Sequence, residues 1–318
     1  MTNLTMETEF FLMGFSNIWE LQVLHAILFL LIYLVALMGN ILIFTVISLD
    51  GKFHTSMYFF LKNLSFLDLC FISITVPKSI TNSLSHSYSI SFGGCVSQLF
   101  LMILFAASEL FLLTVMSYDR YVAICQPLHY ELIMTKGACV KMAGTSWLSG
   151  GLFGALHSAS TFTLPFCGTK EIHQFFCDVP SLLSISCSDS YLAVYVSLTV
   201  GVGIGVFCSI YITISYSHIF STVLKIPTTE GRSKAFSTCL PQLIIFMVFI
   251  TTSVIAYLKP PQKSDSVLDL LLSMFYAVVP PTMNPVIYSL RNKDMKTAVM
   301  KLMAWKYFSK RLIPKSFP

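Results

Sequence analysis

Three adjacent residues, Asp119-Arg120-Tyr121, close a long apolar run and are followed at once by Val122-Ala123-Ile124-Cys125-Gln126-Pro127-Leu128-His129-Tyr130. An arginine at the centre of a bilayer costs roughly 2.5–3.5 kcal/mol on insertion scales. Set beside an acid at the end of an apolar segment, Arg120 can stay paired or be handed to another partner, which is the chemistry of a switch. Two further acids, Asp68 and Glu109, fall in the middle of apolar stretches, where an unpaired carboxylate is too costly to keep ionised. They need protons or a cation. One reading makes both neutral and hydrogen-bonded to Asn40, Ser117 or Asn284; the other makes them a shared sodium or proton site that collapses on activation. No other cofactor is expected. His157 and His173 lack a Ser, Cys or metal partner at useful spacing for catalysis. No CxxC or Cys/His ligand pattern marks a metal site. Gly201, Gly203 and Gly205 follow no strand, so they resemble a phosphate loop only as a string and suit close helix packing or extra cavity room.

The elements that hold these groups must sit in lipid. With 55% hydrophobic and 11% charged residues in 318 and a mean hydropathy of +0.74, the chain is too apolar to present a water-compatible surface. Crossing a hydrocarbon core of roughly 30 Å takes about 20 apolar residues. Such runs occur near residues 24–49, 58–84, 96–125, 139–164, 195–224, 235–258 and 267–290. The expectation is an all-α membrane protein, a single domain over residues 1–318 built as a seven-transmembrane helix bundle. The connections are short, and there is no repeat, Gly/Ser linker or low-complexity tract. Residues 1–22 contain Glu7, Glu9 and Glu20 but no Lys or Arg, so the first apolar segment is expected to serve as an uncleaved signal anchor.

Lys and Arg collect in alternate connections: Lys52 and Lys62, then Lys136 and Lys141, then Lys225, Arg232 and Lys234. The tail adds Arg291, Lys293, Lys296, Lys301, Lys306, Lys310, Arg311 and Lys315, whereas the opposite loops hold Lys78, Lys170, Lys259 and Lys263. The basic side is expected to be cytoplasmic. An odd number of crossings then leaves the N-terminus outside a plasma membrane, where Asn3-Leu4-Thr5 is a glycosylation sequon. The formal charge of +5 reads as attraction to the inner leaflet and not to nucleic acid.

Of nine cysteines, Cys95, Cys167, Cys177 and Cys187 fall on the outer side, where disulfides persist. Four cysteines allow three pairings. A bridge from Cys95, at the outer start of the third helix, into the following long outer loop would draw that loop over the bundle mouth; Cys177 is the expected partner, leaving Cys167 to Cys187. The remaining Cys70, Cys125, Cys139, Cys208 and Cys239 are expected to behave as small apolar side chains.

Four motifs in order narrow the reading. They are Leu64-Ser65-Phe66-Leu67-Asp68-Leu69-Cys70, Met116-Ser117-Tyr118-Asp119-Arg120-Tyr121-Val122-Ala123-Ile124-Cys125, Lys234-Ala235-Phe236-Ser237-Thr238-Cys239 and Met283-Asn284-Pro285-Val286-Ile287-Tyr288-Ser289-Leu290-Arg291-Asn292. Together they resemble the odorant-receptor family of rhodopsin-like G-protein-coupled receptors, in its tetrapod-type (class II) branch, from Gly39-Asn40 to Asn292. The resemblance implies no enzyme. It implies a receptor that binds a small, mainly apolar volatile within the bundle and activates a stimulatory olfactory-type heterotrimeric G protein, raising cyclic AMP. It places Met102, Ile103, Ala106, Ala107, Val200, Gly201, Ile204, Ser253, Val254, Tyr257 and Met274 around the ligand, with Ser253 and Tyr257 as the hydrogen-bonding members.

The same resemblance implies that Arg120 binds Asp119 at rest and swings toward Tyr216 and Tyr288 when the sixth helix moves out. That movement would open a cleft lined by Arg120, residues 126–130 and residues 234–239 for the G protein. Asn284-Pro285 weakens one backbone bond and lets the seventh helix swivel. A short helix over about residues 293–305, capped by Asn292, puts Met295, Ala298, Val299 and Leu302 on one stripe and is expected to lie on the inner membrane surface. No cysteine follows Cys239, so no palmitoyl anchor is expected there.

The chain departs from the family pattern at Ser56, where proline is usual, at Leu240-Pro241-Gln242, where a Ser/His pair is common, and at Ile250-Thr251, where Tyr-Gly is common. Arg232-Ser233-Lys234 at the start of the sixth helix has no acid to lock Arg120, so a loosely latched resting state is expected. Two rival readings stand beside this one. One is a receptor of the same mechanism for a non-odorant metabolite outside the nose. The other is an ion-conducting or transport protein using Asp68, Glu109 and Asn284, for which no inverted repeat or pair of broken helices speaks.

Overall fold

A computed structural model describes residues 9–13, 19–85, 88–172, 174–258, 267–291 and 294–302, with the side chains of residues 234, 237, 238, 255–258, 267–273, 276 and 288–291 outside the description. Asn3, His173 and Asn292 fall outside the described residues, as do the side chains of Tyr257 and Tyr288. The chain is mostly helical. Its long helices are α1 (Trp19–Leu49), α2 (Ser56–Ser85), α3 (Phe92–Cys125), α5 (Lys136–Phe162), α7 (Leu192–Leu224), α8 (Thr229–Leu258) and α9 (Val267–Arg291), with short helices α4 (Tyr130–Ile133) and α6 (Val179–Ser184) between them. Among the described residues, α1, α2, α3 and α7 are long and apolar enough to cross a membrane.

Several helices begin before the apolar run that announced them, because polar caps set the helix end while hydropathy marks only the greasy stretch. Ser91 Oγ accepts from the Gly94 N–H at 3.1 Å to start α3, and Thr135 Oγ1 accepts from the Ala138 N–H at 3.2 Å to start α5. The Gly and Ser content that lowers the hydropathy of α5 has a packing reason. A Cβ at Gly150 would lie against Ser108 Oγ, 2.7 Å from the Leu104 carbonyl oxygen and 2.9 Å from the Ser108 nitrogen, so α3 and α5 meet backbone to side chain with no room for a methyl group.

Proline helices are repaired by neighbours. Pro285 has no N–H for the Pro281 carbonyl four residues back, and Asn40 Nδ2 from α1 donates to that carbonyl at 2.8 Å. Gly39 makes the approach possible, since its Cβ would sit 2.9 Å from Pro285 Cβ. Helix α9 continues through Pro280, Pro281 and Pro285, and α8 through Pro241.

The helical body also carries a small sheet at one end. Strand β1 (Glu9–Leu12) lies between β2 (Ser89–Ser91) and β3 (Glu171–Ile172) in a three-stranded sheet. It pairs antiparallel with β2, Phe10 opposite Ile90, and parallel with β3, Phe11 opposite Glu171. Alternate side chains turn inward as a strand requires: Phe10 and Leu12 are buried while Glu9 and Phe11 are exposed. Four residues carry too little periodicity to be read as a strand, and the backbone partners come from two distant loops.

At the opposite end, residues 294–302 are helical. The expected stripe is present, but Met295 and Val299 are buried in a cluster with Ile43, Val46, Ile47, Phe53 and Leu61, with Ala298 and Leu302 packed against it. The stripe covers the C-terminal end of α1 and the N-terminal end of α2.

Candidate functional site

Helix α3 carries polar groups at three depths. Near its C-terminal end Asp119 is 1% exposed and forms an ion pair with Arg120. Arg120 Nε donates to Asp119 Oδ2 at 2.9 Å and a second guanidinium N–H reaches the same oxygen. The other oxygen, Oδ1, accepts from Ser56 Oγ of α2 at 2.7 Å and from the Tyr130 hydroxyl of α4 at 3.0 Å, and these two hydroxyls also touch each other. Burial pushes the Tyr130 hydroxyl above its ordinary pKa, and the Asp119 charge acts in the same direction against the Ser56 bond. A neutral Tyr130 remains a donor, so one buried carboxylate gathers α2, α3 and α4.

Ser56, where the family pattern has proline, therefore has a role at this site. Tyr121 packs edge-on against His218 of α7, with centroids 5.9 Å apart. The Tyr216 hydroxyl donates to the Cys239 carbonyl of α8 at 3.2 Å.

At mid-depth Asp68 and Glu109 are 1% and 5% exposed. They are joined through one amide: Asn284 Nδ2 lies 3.1 and 3.0 Å from the two Asp68 oxygens and 3.1 Å from Glu109 Oε1. The other expected partners face elsewhere. Asn40 donates to Ala36 and Pro281 carbonyls, and Ser117 to the Thr114 carbonyl. Three long helices thus place two acids and one amide in a single contact. Among the described residues, no group of three or more His, Cys, Asp or Glu side chains is arranged to hold a metal ion.

The residues expected around a ligand divide into three sets. Met102 is buried beside Phe105, Phe175, Phe176 and Val278, with Met274 and Ala106 packed against that cluster. Ile103 belongs instead to the outer cluster with Phe10, Leu12 and Cys177, and Ile204 and Ala106 pack against the α3–α7–α8 cluster around Ile212 and Phe246. Ala107 and Ser253 are half-buried. Val200 and Val254 are 42% and 46% exposed and turn away from the bundle interior. Helical periodicity places a residue on a face only when the helix rotation is known, and for these two the rotation runs outward. Gly201 is filled from the side, because a Cβ there would meet the Phe153 ring at 2.7 Å. A cavity of about 620 Å³ between α1, α8 and α9 shares Met274 and is walled also by Met247, Thr251, Thr252, Val278 and Thr282.

His157 has the serine partner that its sequence neighbourhood did not show. Its Nδ1 lies 2.7 Å from Ser197 Oγ, which is 2.9 Å from Ser160 Oγ. Ser197 Oγ also donates to the Val194 carbonyl at 2.9 Å, and His157 stacks on Phe153. With His157 and Ser197 at 2% and 1% exposure, the cluster fastens α5 to α7 and presents no accessible nucleophile.

Near the N-terminal end of α3, Cys95 is bonded to Cys177, and Cys167 is bonded to Cys187. Gln98 completes the fastening by donating to the Ile74 carbonyl at 2.8 Å while accepting from the Cys177 N–H at 2.9 Å.

The helices thus carry an ion pair at the end of α3, paired acids in their middle and a loop fastened by disulfides, and comparison with known proteins says which family they belong to. The family model for the olfactory receptor matches residues 29–306. Olfactory receptor 14A2 of Homo sapiens is 59% identical over 96% of this chain and 98% of its own length. Olfactory receptor 14A16 of Homo sapiens is 56% identical over 98% of this chain and 100% of its own length. Olfactory receptor 1G1 of Gorilla gorilla gorilla is 47% identical over 95% and 96%. The chain belongs to the olfactory receptor family, a family of receptors and not of enzymes.

Proposed function

We propose that this olfactory receptor detects a small, mainly apolar volatile within a seven-crossing bundle and activates a stimulatory olfactory-type G protein, raising cyclic AMP. Family membership across residues 29–306 carries the reading. The inward apolar side chains Met102, Ile103, Ala106, Ile204 and Met274 supply a soft lining, and Ser253 and Tyr257 supply the hydrogen bonds that orient the ligand. A cavity wall without charge disfavours amines and acids. The N-terminus, glycosylated at Asn3, faces outward and the basic tail faces the cytosol of a cell whose plasma membrane holds the receptor.

Ligand binding favours the state in which α8 has moved out, Arg120 has left Asp119 for Tyr216 and Tyr288, and the G protein occupies the cleft. Asp68 and Glu109 hold a proton or a sodium ion that is released as Asn284-Pro285 swivels. Sodium titration that leaves agonist potency unchanged in the wild type and in Asp68→Asn alike removes the ion from this scheme.

The decisive experiment is a cyclic AMP screen against a broad panel of volatiles, with Arg120→Ala and Tyr257→Phe run beside the wild type. Arg120→Ala is expected to abolish every response, and Tyr257→Phe to change the ranking of ligands. Responses that persist in Arg120→Ala at matched surface level contradict the assignment of the inner end.

A further inference from the structure

Beside α1, the packed pair α8 and α9 leaves the apolar cavity of about 620 Å³. Its rim turns away from the helix bundle: Met247 of α8 and Phe275 and Met283 of α9 are 55%, 59% and 40% exposed. Its floor turns inward. Met274 and Val278 line the cavity and also pack in the cluster with Met102, Phe105 and Phe176. One layer of side chains therefore separates an outward-opening space from the interior around Met102.

The wall selects by polarity and by length. Among the described residues no charged side chain lines it, so a phosphate headgroup, an amine or an acid finds no counter-charge. Two of its hydroxyls are spent on their own helices, Thr252 Oγ1 donating to the Val248 and Phe249 carbonyls at 2.9 and 3.0 Å and Thr282 Oγ1 to the Val278 carbonyl at 2.7 Å. At a helical rise of about 1.5 Å per residue, the wall runs about 8 Å along α8, from Met247 to Thr252, and about 14 Å along α9, from Met274 to Met283. A lipid chain held by its headgroup runs through half of a hydrocarbon core of roughly 30 Å; this space is shorter on its α8 side and offers no headgroup anchor. It fits a compact, uncharged molecule, and the flexible thioethers of Met247, Met274 and Met283 can repack around one.

We propose that the cavity between α1, α8 and α9 is a binding site for a small, uncharged, apolar volatile taken up from the bilayer. The proposal rests on the receptor reading above, which sets these helices in lipid, and adds a place where the volatile is held one layer of side chains away from the Met102 cluster. Apolar solutes leave water for lipid for the reason that apolar side chains do, so the open side faces the phase richest in ligand.

The test is photolabelling of the full-length receptor in phosphatidylcholine nanodiscs with an aliphatic ketone that carries a diazirine, adducts being mapped by mass spectrometry. Adducts are expected on residues 247–252 and 274–283, saturating with probe and displaced by excess of the same ketone without the diazirine. The exposed Leu148 and Leu152 of α5 report the background of a lipid-facing helix. Thr251→Trp fills the cavity from α8 and is expected to cut the displaceable labelling by about tenfold, as a pocket excludes what no longer fits. Val279→Phe fills it from α9 and serves where the tryptophan variant does not fold.

Labelling that does not saturate, or that is no stronger than at Leu148 and Leu152, overturns the site, as does displaceable labelling that survives both filling variants. A phosphatidylcholine bearing a diazirine in its acyl chain separates the lipid from the volatile: adducts at these same residues that excess ketone fails to displace assign the cavity to lipid and overturn the proposal. Volatile-evoked cyclic AMP in a receptor that fails these tests leaves the receptor reading standing without the lateral site, whereas a panel that evokes no cyclic AMP counts against the receptor reading itself.

Discussion

The two ends of this bundle are held by different kinds of bond. At one, two disulfides and a three-stranded sheet tie residues 9–12 and the long loop to α3, over an apolar cluster that includes Phe10, Leu12, Leu99 and Ile172. At the other, the fastenings among the described residues are hydrogen bonds: Ser56 and Tyr130 on Asp119, Gln242 on Leu113 and Tyr216 on Cys239. A disulfide does not open during a signalling event, whereas one hydrogen bond in a membrane contributes roughly 0.6–1.7 kcal/mol and exchanges readily. One end is a frame fixed by covalent bonds and strand pairing, and the other is a set of weak contacts that can be traded one for another.

The largest expected effect comes from breaking the frame. Cys95→Ser or Cys177→Ser removes a cross-link worth about 2–5 kcal/mol, and surface receptor measured by flow cytometry is expected to fall to near background. Near-normal surface level with normal agonist responses would mean that the sheet and Gln98 hold the loop unaided.

A smaller effect is expected at the α3–α5 contact that connects the two ends. Gly150→Ala forces a methyl group against the Leu104 carbonyl and the Ser108 backbone, costing about 1–3 kcal/mol as overpacking. The thermal midpoint in detergent is expected to drop while basal signal per surface receptor stays constant. A rise in basal signal would place this contact among the movable parts.

The smallest effect is expected at Tyr130. Tyr130→Phe removes one of two hydroxyls on Asp119 Oδ1 while Ser56 retains the other, so basal output of purified receptor is expected to rise less than twofold, an equilibrium shift of under about 0.4 kcal/mol. The pH dependence sharpens the point. Because burial raises the Tyr130 pKa, its donated bond is fully present below the ordinary tyrosine value of about 10 and is lost only as pH rises through the higher folded value. G-protein activation by wild type between about pH 6.5 and 9 should show no step that Tyr130→Phe abolishes.

Legibility in the sequence followed the same division between local and distant causes. The apolar runs fall on stretches that are helical in the structure, and the motif around Asp119 and Arg120 announced an ion pair between neighbours. The Asp68, Glu109 and Asn284 group was nameable because charged or amide side chains stand out in apolar surroundings, although which expected partner they used was open until Asn284 was seen between them. Less was visible where small rotations decide. Val200 and Val254 turn outward, Gly201 receives the Phe153 ring, and His157 meets a serine 40 residues away.

Composition, hydropathy and four short motifs were sufficient to assign an olfactory receptor with a helical body, because the need to satisfy every backbone group in lipid leaves few alternatives. Which helix faces touch was decided only by the tertiary structure. Ser56 and Asp119 are 63 residues apart and Gln242 and Leu113 are 129 apart, and such contacts depend on the rotation and register of packed helices. Those are set by where glycines such as Gly39 and Gly150 let backbones approach, a property of two surfaces together that neither stretch of sequence states alone.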